Sequence, residues 1–315
     1  MISPVTGHMN DTIASGYMHP GYAESLSEFG VPRRLPLCGG WLLERAIAGS
    51  PLRDAIGCYP LFVCEDWSRL DMDLKALESE LVSVSLVTDP FGQYDEGCLN
   101  QCFGDVMISF KEHYVIDLDQ QMRKYVSEHH RRYARKALER VQVEKPEIPG
   151  DFIDEWVKLY ETLVIKHDIR GISEFSKRAF TRQLGVPGLA MFRAVYEGSV
   201  VGILLWYVQG DIGYYHLGAS NSLGYELNAS FALLWHAIGF FQERGLRWLG
   251  LGAGAGVNND GRDGLSVFKH GWATGTRTAY FCGRIFDQNK YSEITKTMGI
   301  SATNYFPAYR KGEFD

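Results

Sequence analysis

The period of the apolar positions changes repeatedly along the 315-residue chain, and each change predicts an element. WLLERAIA, from Trp41, has helical spacing, and CYPLFVCE reads as a short buried strand. DMDLKALESEL, from Asp71, predicts a helix with acids in its first turn, where the dipole favours them. VSVSLVTDPFG alternates, with Val82, Val84 and Leu86 on one face, and is stopped by Asp89-Pro90 and Gly92. VMISFKEHYVIDL, from Val106, returns to strand. A single long helix is then expected from near Asp119, with Met122, Val126, Tyr133, Ala137 and Val141 as its apolar stripe. Its opposing faces carry His129, His130, Arg131, Arg132, Arg135, Lys136 and Arg140, a pattern that suits either solvent or the phosphates of an anionic substrate.

KPEIPGD, Lys145 to Asp151, punctuates the chain and marks a boundary. DFIDEWVKLYETLVIKH predicts a helix, and ISEFSKRAFTRQLG a second one capped by Ser173 and ended at Gly185. Three strands follow within LAMFRAVYEGSVVGILLWYVQGDIGYYHLGAS, turned at Glu197-Gly198-Ser199 and Gln209-Gly210-Asp211. Next come the apolar helix ELNASFALLWHAIGFFQERG, the short strand LRWLGLG, a Gly/Asn/Asp loop and a helix start, DGLSVFKHGW. The second half thus reads α-α-β-β-β-α-β-α-β, an α+β class with a mixed, largely antiparallel sheet flanked by helices rather than a doubly wound dinucleotide fold. Residues 1 to 22 show no periodicity and are expected to run over the surface.

Composition narrows the chemistry. Hydrophobic content of 45% and charged content of 22% are those of a soluble globular protein, with length for one large domain or two ordinary ones. No apolar run is long enough to span a bilayer and no signal-peptide pattern opens the chain, which reads as cytoplasmic. The six cysteines show no C-x-x-C pairing, so neither a disulfide framework nor a metal site is expected. A net charge of −6 disfavours indiscriminate nucleic-acid binding but leaves room for a local basic patch.

Candidate polar residues gather in the second half. Lys269 stands between Phe268 and Trp272, Asp263 precedes the helix start, and Tyr215 and His216 lie on a strand before the apolar helix. Arg170, in HDIRGIS, suits an acceptor carboxylate or phosphate. Asp263 also fits a helix cap, and His216 a satisfied structural histidine. GAGAG, Gly252 to Gly256, follows a strand, but VNNDGRDG separates it from the next helix, which weakens a phosphate-loop reading.

From Tyr214 onward the chain resembles the second domain of the Fem-type transferases. YYHLGAS, LNASFALLWHAIGFFQERG, LRWLGLGAG and DGLSVFKHGW carry the likeness, and FKEHYVIDLDQQMRKYVSEHHRRYARKALERVQVE resembles the family's passage between its two domains. These are tandem GNAT-fold enzymes that move an amino acid from aminoacyl-tRNA onto an amine, usually of a peptidoglycan precursor. Gly264, Leu265, Phe268, Lys269, Gly271 and Trp272 fall on the family's Gly-hydrophobic-x-x-Phe-Lys-x-Gly-aromatic signature. The resemblance implies tandem GNAT-like domains: a degenerate one at 1–146, with 286–315 packing back on it, and an acyltransferase domain at 147–285. It places Lys269, with Phe268 and Trp272 beside it and Asp263 before the signature's glycine, in the transfer site; the residues themselves offer His216, Tyr215 and Asp263 as candidate bases for the amine, Tyr215, His216, Arg170, Trp272 and Asn228 as substrate contacts, and Arg131, Arg132 and Arg135 as RNA or phosphate contacts. The coiled-coil insertion of the glycine-adding members is missing.

Ester aminolysis needs alignment and positive charge near the developing oxyanion more than it needs covalent help. The resemblance therefore implies aminoacyl-tRNA as co-substrate, a small amine-bearing acceptor such as a peptidoglycan precursor or peptide-like metabolite, and no permanently bound cofactor. Acyl-CoA is the alternative donor, but the glycine turn that holds its pyrophosphate in GNAT enzymes is replaced here by YELNASFALL. A non-catalytic GNAT-like binding module is the third reading.

Overall fold

The computed structural model describes residues 14–255, 263–300 and 303–313. After α1 (Pro20–Ser25), the strands β1 (Val31–Arg34), β2 (Trp41–Ala46) and β3 (Arg53–Gly57) form an antiparallel meander. A connection containing α2 (Leu70–Ala76) leads to β4 (Ser83–Val87), parallel to β3. Next come α3 (Glu96–Cys102), β5 (Val106–Asp117), α4 (Met122–Tyr125), α5 (Glu128–Leu138), β6 (Gln142–Glu144), α6 (Ile153–His167) and α7 (Lys177–Leu184). The opening plan then recurs. β7 (Leu189–Tyr196), β8 (Ser199–Gln209) and β9 (Ile212–Ser220) make a second meander, and α8 (Ser222–Glu226) with α9 (Ala229–Glu243) leads to β10 (Trp248–Gly252), parallel to β9. α10 (Gly264–His270), β11 (Gly275–Ile285) and α11 (Gln288–Thr297) follow.

This is the mixed, mostly antiparallel α+β architecture expected, with its tandem plan visible in the topology. The strands form one sheet in the order β1-β2-β3-β4-β11-β5-β10-β9-β8-β7-β6. The two repeats exchange strands at the middle: β5, early in the chain, pairs with β10, while the late β11 pairs with β4 and β5. The segment after β11 returns to the first meander, where Arg310 forks onto buried Asp54 at 2.8–2.9 Å and Tyr309 meets Ser83 Oγ at 2.7 Å.

α9 is apolar on nearly every side, and such a helix must be covered on nearly every side. Strands β7 to β9 lie beneath it and α5 lies over it, burying Leu233, Leu234, Ile238 and Phe241. The opposite face of the sheet carries α6 and α7 over a core of Trp156, Phe175, Phe180, Tyr207 and Tyr214. Each fully buried aliphatic or aromatic side chain contributes about 1.5–3 kcal/mol, so these two layers fix the middle of the sheet rigidly.

Five local expectations are corrected. Trp41–Ala46 is a strand, not a helix; Glu44 and Arg45 are buried there because Arg33, Arg53, Asp54 and Glu313 pair with them. CYPLFVCE forms no strand beyond an isolated bridge from Phe62 to Thr88. The long helix from Asp119 is broken: Val126 is extended, and Ser127 caps a new helix by accepting from the His130 N–H. The cap of α7 is Ser176, not Ser173. Residues 14–25 do not run over the surface either. Tyr17 and Tyr22 are buried, and Ser15 Oγ donates to the Val208 carbonyl at 2.9 Å.

Candidate active site where two parallel strands part

β9 and β10 pair only from Ile212–Tyr214 against Trp248–Gly250. Beyond that point β9 bulges. Leu205 and Trp206 of β8 face Leu217 and Tyr215, which leaves His216 as the extra residue. A bulge adds twist and bends its strand, and β10 is irregular against β5 between Gly250 and Gly252 as well. The two parallel strands therefore open, with Tyr215 on one side and Gly252-Ala253 on the other.

Lys269 fills this opening. Its Nζ donates to the Ala253 carbonyl at 2.6 Å and lies 5.4 Å from the centroid of the Tyr215 ring. Gly252 is required by this approach: its φ is +75°, and a Cβ there would stand 3.2 Å from Nζ. Burial pulls the Lys269 pKa down to about 7; the carboxylate of Asp263 opposes that shift and the charge of Lys111 adds to it. The group is thus poised between ammonium and amine at neutral pH.

Asp263 caps α10, accepting from the N–H groups of Leu265 and Ser266 at 3.0 Å and of Ala255 at 3.3 Å, and from Ser266 Oγ. Burial works to raise its pKa, but these donors prevail and hold it at about 2. A carboxylate so occupied orients the helix that carries Lys269 and supplies counter-charge. The residues from Gly256 to Arg262, including the last glycine of GAGAG, lie outside the described residues.

α10 is fastened to α5 by His130, which the sequence put on a polar face suited to solvent or to phosphates. Its imidazole is buried, and burial lowers its pKa while the Phe268 carbonyl raises it less. That carbonyl can only accept, so Nε2 carries the proton and donates across 2.9 Å; Nδ1 then accepts from Ser127 Oγ at 2.7 Å. Ser127 N also donates to the Gly271 carbonyl at 2.9 Å. Phe268, Phe231, Trp272 and His130 pack ring against ring around this clasp. Trp272 is fully buried within this aromatic cluster.

The other expected residues are dispersed. His216 lies in an aromatic core with Tyr17, Tyr22 and Tyr207, its Nε2 3.1 Å from Gln183 Oε1 and its Nδ1 3.2 Å from Tyr17 Oη. Burial drives its pKa to about 3, so it is a neutral structural imidazole. Arg170 is exposed and forks onto Asp168. Asn228 starts α9 in the left-handed region, φ 57°, a conformation asparagine tolerates. Arg131, Arg132 and Arg135 line a concavity of about 820 Å³ with Arg123, Glu128, Leu138, Glu139 and Trp235. Trp235 backs onto Trp272 at 6.5 Å, which joins this groove to the aromatic cluster around His130.

Sequence reasoning missed Lys111 and His113 on β5. The alternation of β5 puts both on the face of Val115, and the His113 pKa is brought to about 3 by burial and then by the charges of Lys269 and Lys111. Alternation within FKEHYVID is the signal that pairs them, but nothing in the sequence brings them to Lys269.

A family model for the acetyltransferase (GNAT) domain matches residues 120–259. Among solved structures the chain is similar to FemX, at 15% identity over 90% of this chain and 96% of that one, with a TM-score of 0.64. It is also similar to the C-terminal domain of a putative lysylphosphatidylglycerol synthetase from Agrobacterium fabrum, at 12% identity, 88% and 92% coverage and a TM-score of 0.60. The corresponding figures for L-PGS from Bacillus licheniformis are 13%, 91% and 97%, and 0.54. Among curated proteins none matches the chain in sequence.

Proposed function

The chain is a protein of Fem-type GNAT fold, and from that premise we propose that it transfers an aminoacyl group from aminoacyl-tRNA to the amine of a peptide-like acceptor. The observation that carries this reading is the buried Lys269 Nζ at the parting of β9 and β10, beside Tyr215 and the Ala253 carbonyl. In the reaction the acceptor nitrogen bonds to the ester carbonyl carbon, the carbon–oxygen bond to the ribose breaks, and the amine's proton ends on the ribose oxygen. Lys269 as ammonium stabilises the oxyanion between these events, and a pKa of about 7 lets it pass a proton to the leaving oxygen. Asp263 and His130 are positioning residues that hold α10. Residues 1–146 with 286–315 form, on this reading, the degenerate GNAT-like unit that shapes the acceptor side, and 147–285 the transfer unit.

Two features favour tRNA over CoA. The first turns of α9 present Phe231, packed on Phe268 and His130, instead of a glycine turn open to a pyrophosphate. The groove on α4 and α5 sets four guanidinium groups beside Trp235, a combination suited to phosphates and a stacked base. Incubation with tRNA charged with labelled amino acids, against a panel of amines, should give product that RNase abolishes. Product that survives RNase and requires an acyl-CoA would instead establish the reading favoured by the GNAT acetyltransferase match. Failure of both donors would leave a binding module.

The groove makes a separate prediction. Arg132→Glu with Arg135→Glu, both exposed, should raise the KM for charged tRNA at least about tenfold and reduce the slope of log KM against log salt by about one per lost phosphate contact. Steady-state transfer across a salt series measures both, and an unchanged slope would remove RNA from the groove.

A further inference from the structure

We infer that Arg277 is an oxyanion receptor, so that the acceptor is an amine that also bears a carboxylate or a phosphate. Arg277 lies on β11 directly opposite His113 of β5, so the two side chains share a face of the sheet. Gly250, opposite Val115, lies on that face too, and Phe91 packs so closely over it that a Cβ there would stand 3.0 Å from the ring. The Arg277 guanidinium carbon is 4.7 Å from the centroid of the Phe91 ring and 4.5 Å from that of Trp248.

Trp248 supports two arginines, and their contrast is informative. Arg247, also 4.5 Å from the ring, is bonded to Asp117 and lies 3.2 Å from Asp119. The Arg277 guanidinium has no ion pair or hydrogen bond among the described residues. The acid whose field it feels, Asp89, is buried and already accepts from Phe91 N at 3.0 Å and Tyr214 Oη at 2.8 Å. A planar cation held against aromatic rings, with its donors unspent, is arranged to take an oxyanion in its own plane.

Its location ties this receptor to the transfer site. His113, one strand-pairing step away at a Cα separation of about 4.5–5.5 Å, senses the charge of Lys269. An acceptor anchored on Arg277 therefore enters from the Phe91 side, opposite the α9 side where the arginine groove lies, and its amine needs only a short spacer to reach the opening.

The acceptor part of this inference rests on the transfer reading; the anion-binding part does not. Two matched pairs of acceptors separate the sources of the anion: glycylglycine with its amide, and O-phosphoethanolamine with ethanolamine. Wild-type protein should favour the anionic member of one pair by at least about tenfold in kcat/KM. Arg277→Gln should erase that preference by raising KM for the anionic member alone, and Arg277→Lys should restore part of it. Equal use of both members by wild-type protein, or equal loss of both in Arg277→Gln, would overturn the assignment. NMR titration of the resting protein with the non-reacting N-acetylglycylglycine and N-acetyl phosphoethanolamine gives a readout without turnover. Binding of either to wild-type but not to Arg277→Gln supports the receptor even if no transfer is found, and binding of neither rejects it.

Discussion

Replacing Lys269 by methionine is expected to lower transfer by about 10²–10³ and to make the folded chain more stable at neutral pH. The two effects share one cause, a cation confined where burial opposes its charge. In the unfolded chain this lysine titrates at its ordinary value of 10.5; in the folded protein it titrates at about 7. Below pH 7 both states hold the proton, and the cost of the buried ammonium is fully present. Between about 7 and 10.5 the unfolded chain binds more protons than the folded one, so stability rises with pH until the cost is gone. Methionine carries no charge at any pH, so its advantage should be about 2–4 kcal/mol at pH 6.5, after allowing for the lost bond to Ala253, and should shrink towards zero near pH 10. Urea unfolding at pH 6.5 and 9.5, with transfer measured on the same preparations, tests both halves. A stability difference that does not vary with pH would mean that the ammonium is not buried, and transfer within threefold of wild type would remove Lys269 from the chemistry.

In rate, the same titration should appear as a decline of kcat above pH about 7 in wild-type protein, since the oxyanion needs the ammonium form. Deprotonation of the acceptor amine acts in the opposite sense, and the two together give a bell-shaped profile for kcat/KM.

How much of this arrangement can be read from the residues alone depends on how local its cause is. The β7–β9 meander is legible because Glu197-Gly198 supplies two consecutive positive φ angles, 48° and 75°, between alternating segments. α9 is legible because an apolar run of that length with helical formers has few other fates. The Asp263 cap and the lysine two turns later follow from short spacing. Trp41–Ala46 misleads because its apolar positions fit either period, and the strand is chosen by ion pairs with residues as distant as Glu313. Val126 interrupts a helical pattern that is sound on its own terms, because Ser127 and His130 are claimed by Gly271 and Phe268. Arg277 and His113 are invisible as a pair for the same reason: only the register of β5 against β11, more than 150 residues apart, sets them side by side.

Gly271→Ala tests the clasp that holds Lys269 in place. A Cβ at Gly271 would lie 2.1 Å from Cε1 of His130, 2.4 Å from Nε2 and 2.5 Å from Nδ1, so the imidazole cannot remain where it is. Its departure breaks the bond to the Phe268 carbonyl and the bond to Ser127, and strips α10 of its link to α5. Overpacking together with an unpaired carbonyl should cost about 2–4 kcal/mol, and transfer should fall about 10²-fold because a helix free to shift by an ångström no longer aligns the ammonium. Loss of stability alone would be expected of any crowded glycine, so the decisive variant is the double one. His130→Ala removes the ring that the new methyl strikes, and the pair should then be no less stable than His130→Ala by itself, a coupling of opposite sign to the single losses. If the two losses instead add, the methyl is colliding with something other than His130, and the register of α10 against α5 must owe its definition to the aromatic packing of Phe231 and Phe268 rather than to the imidazole.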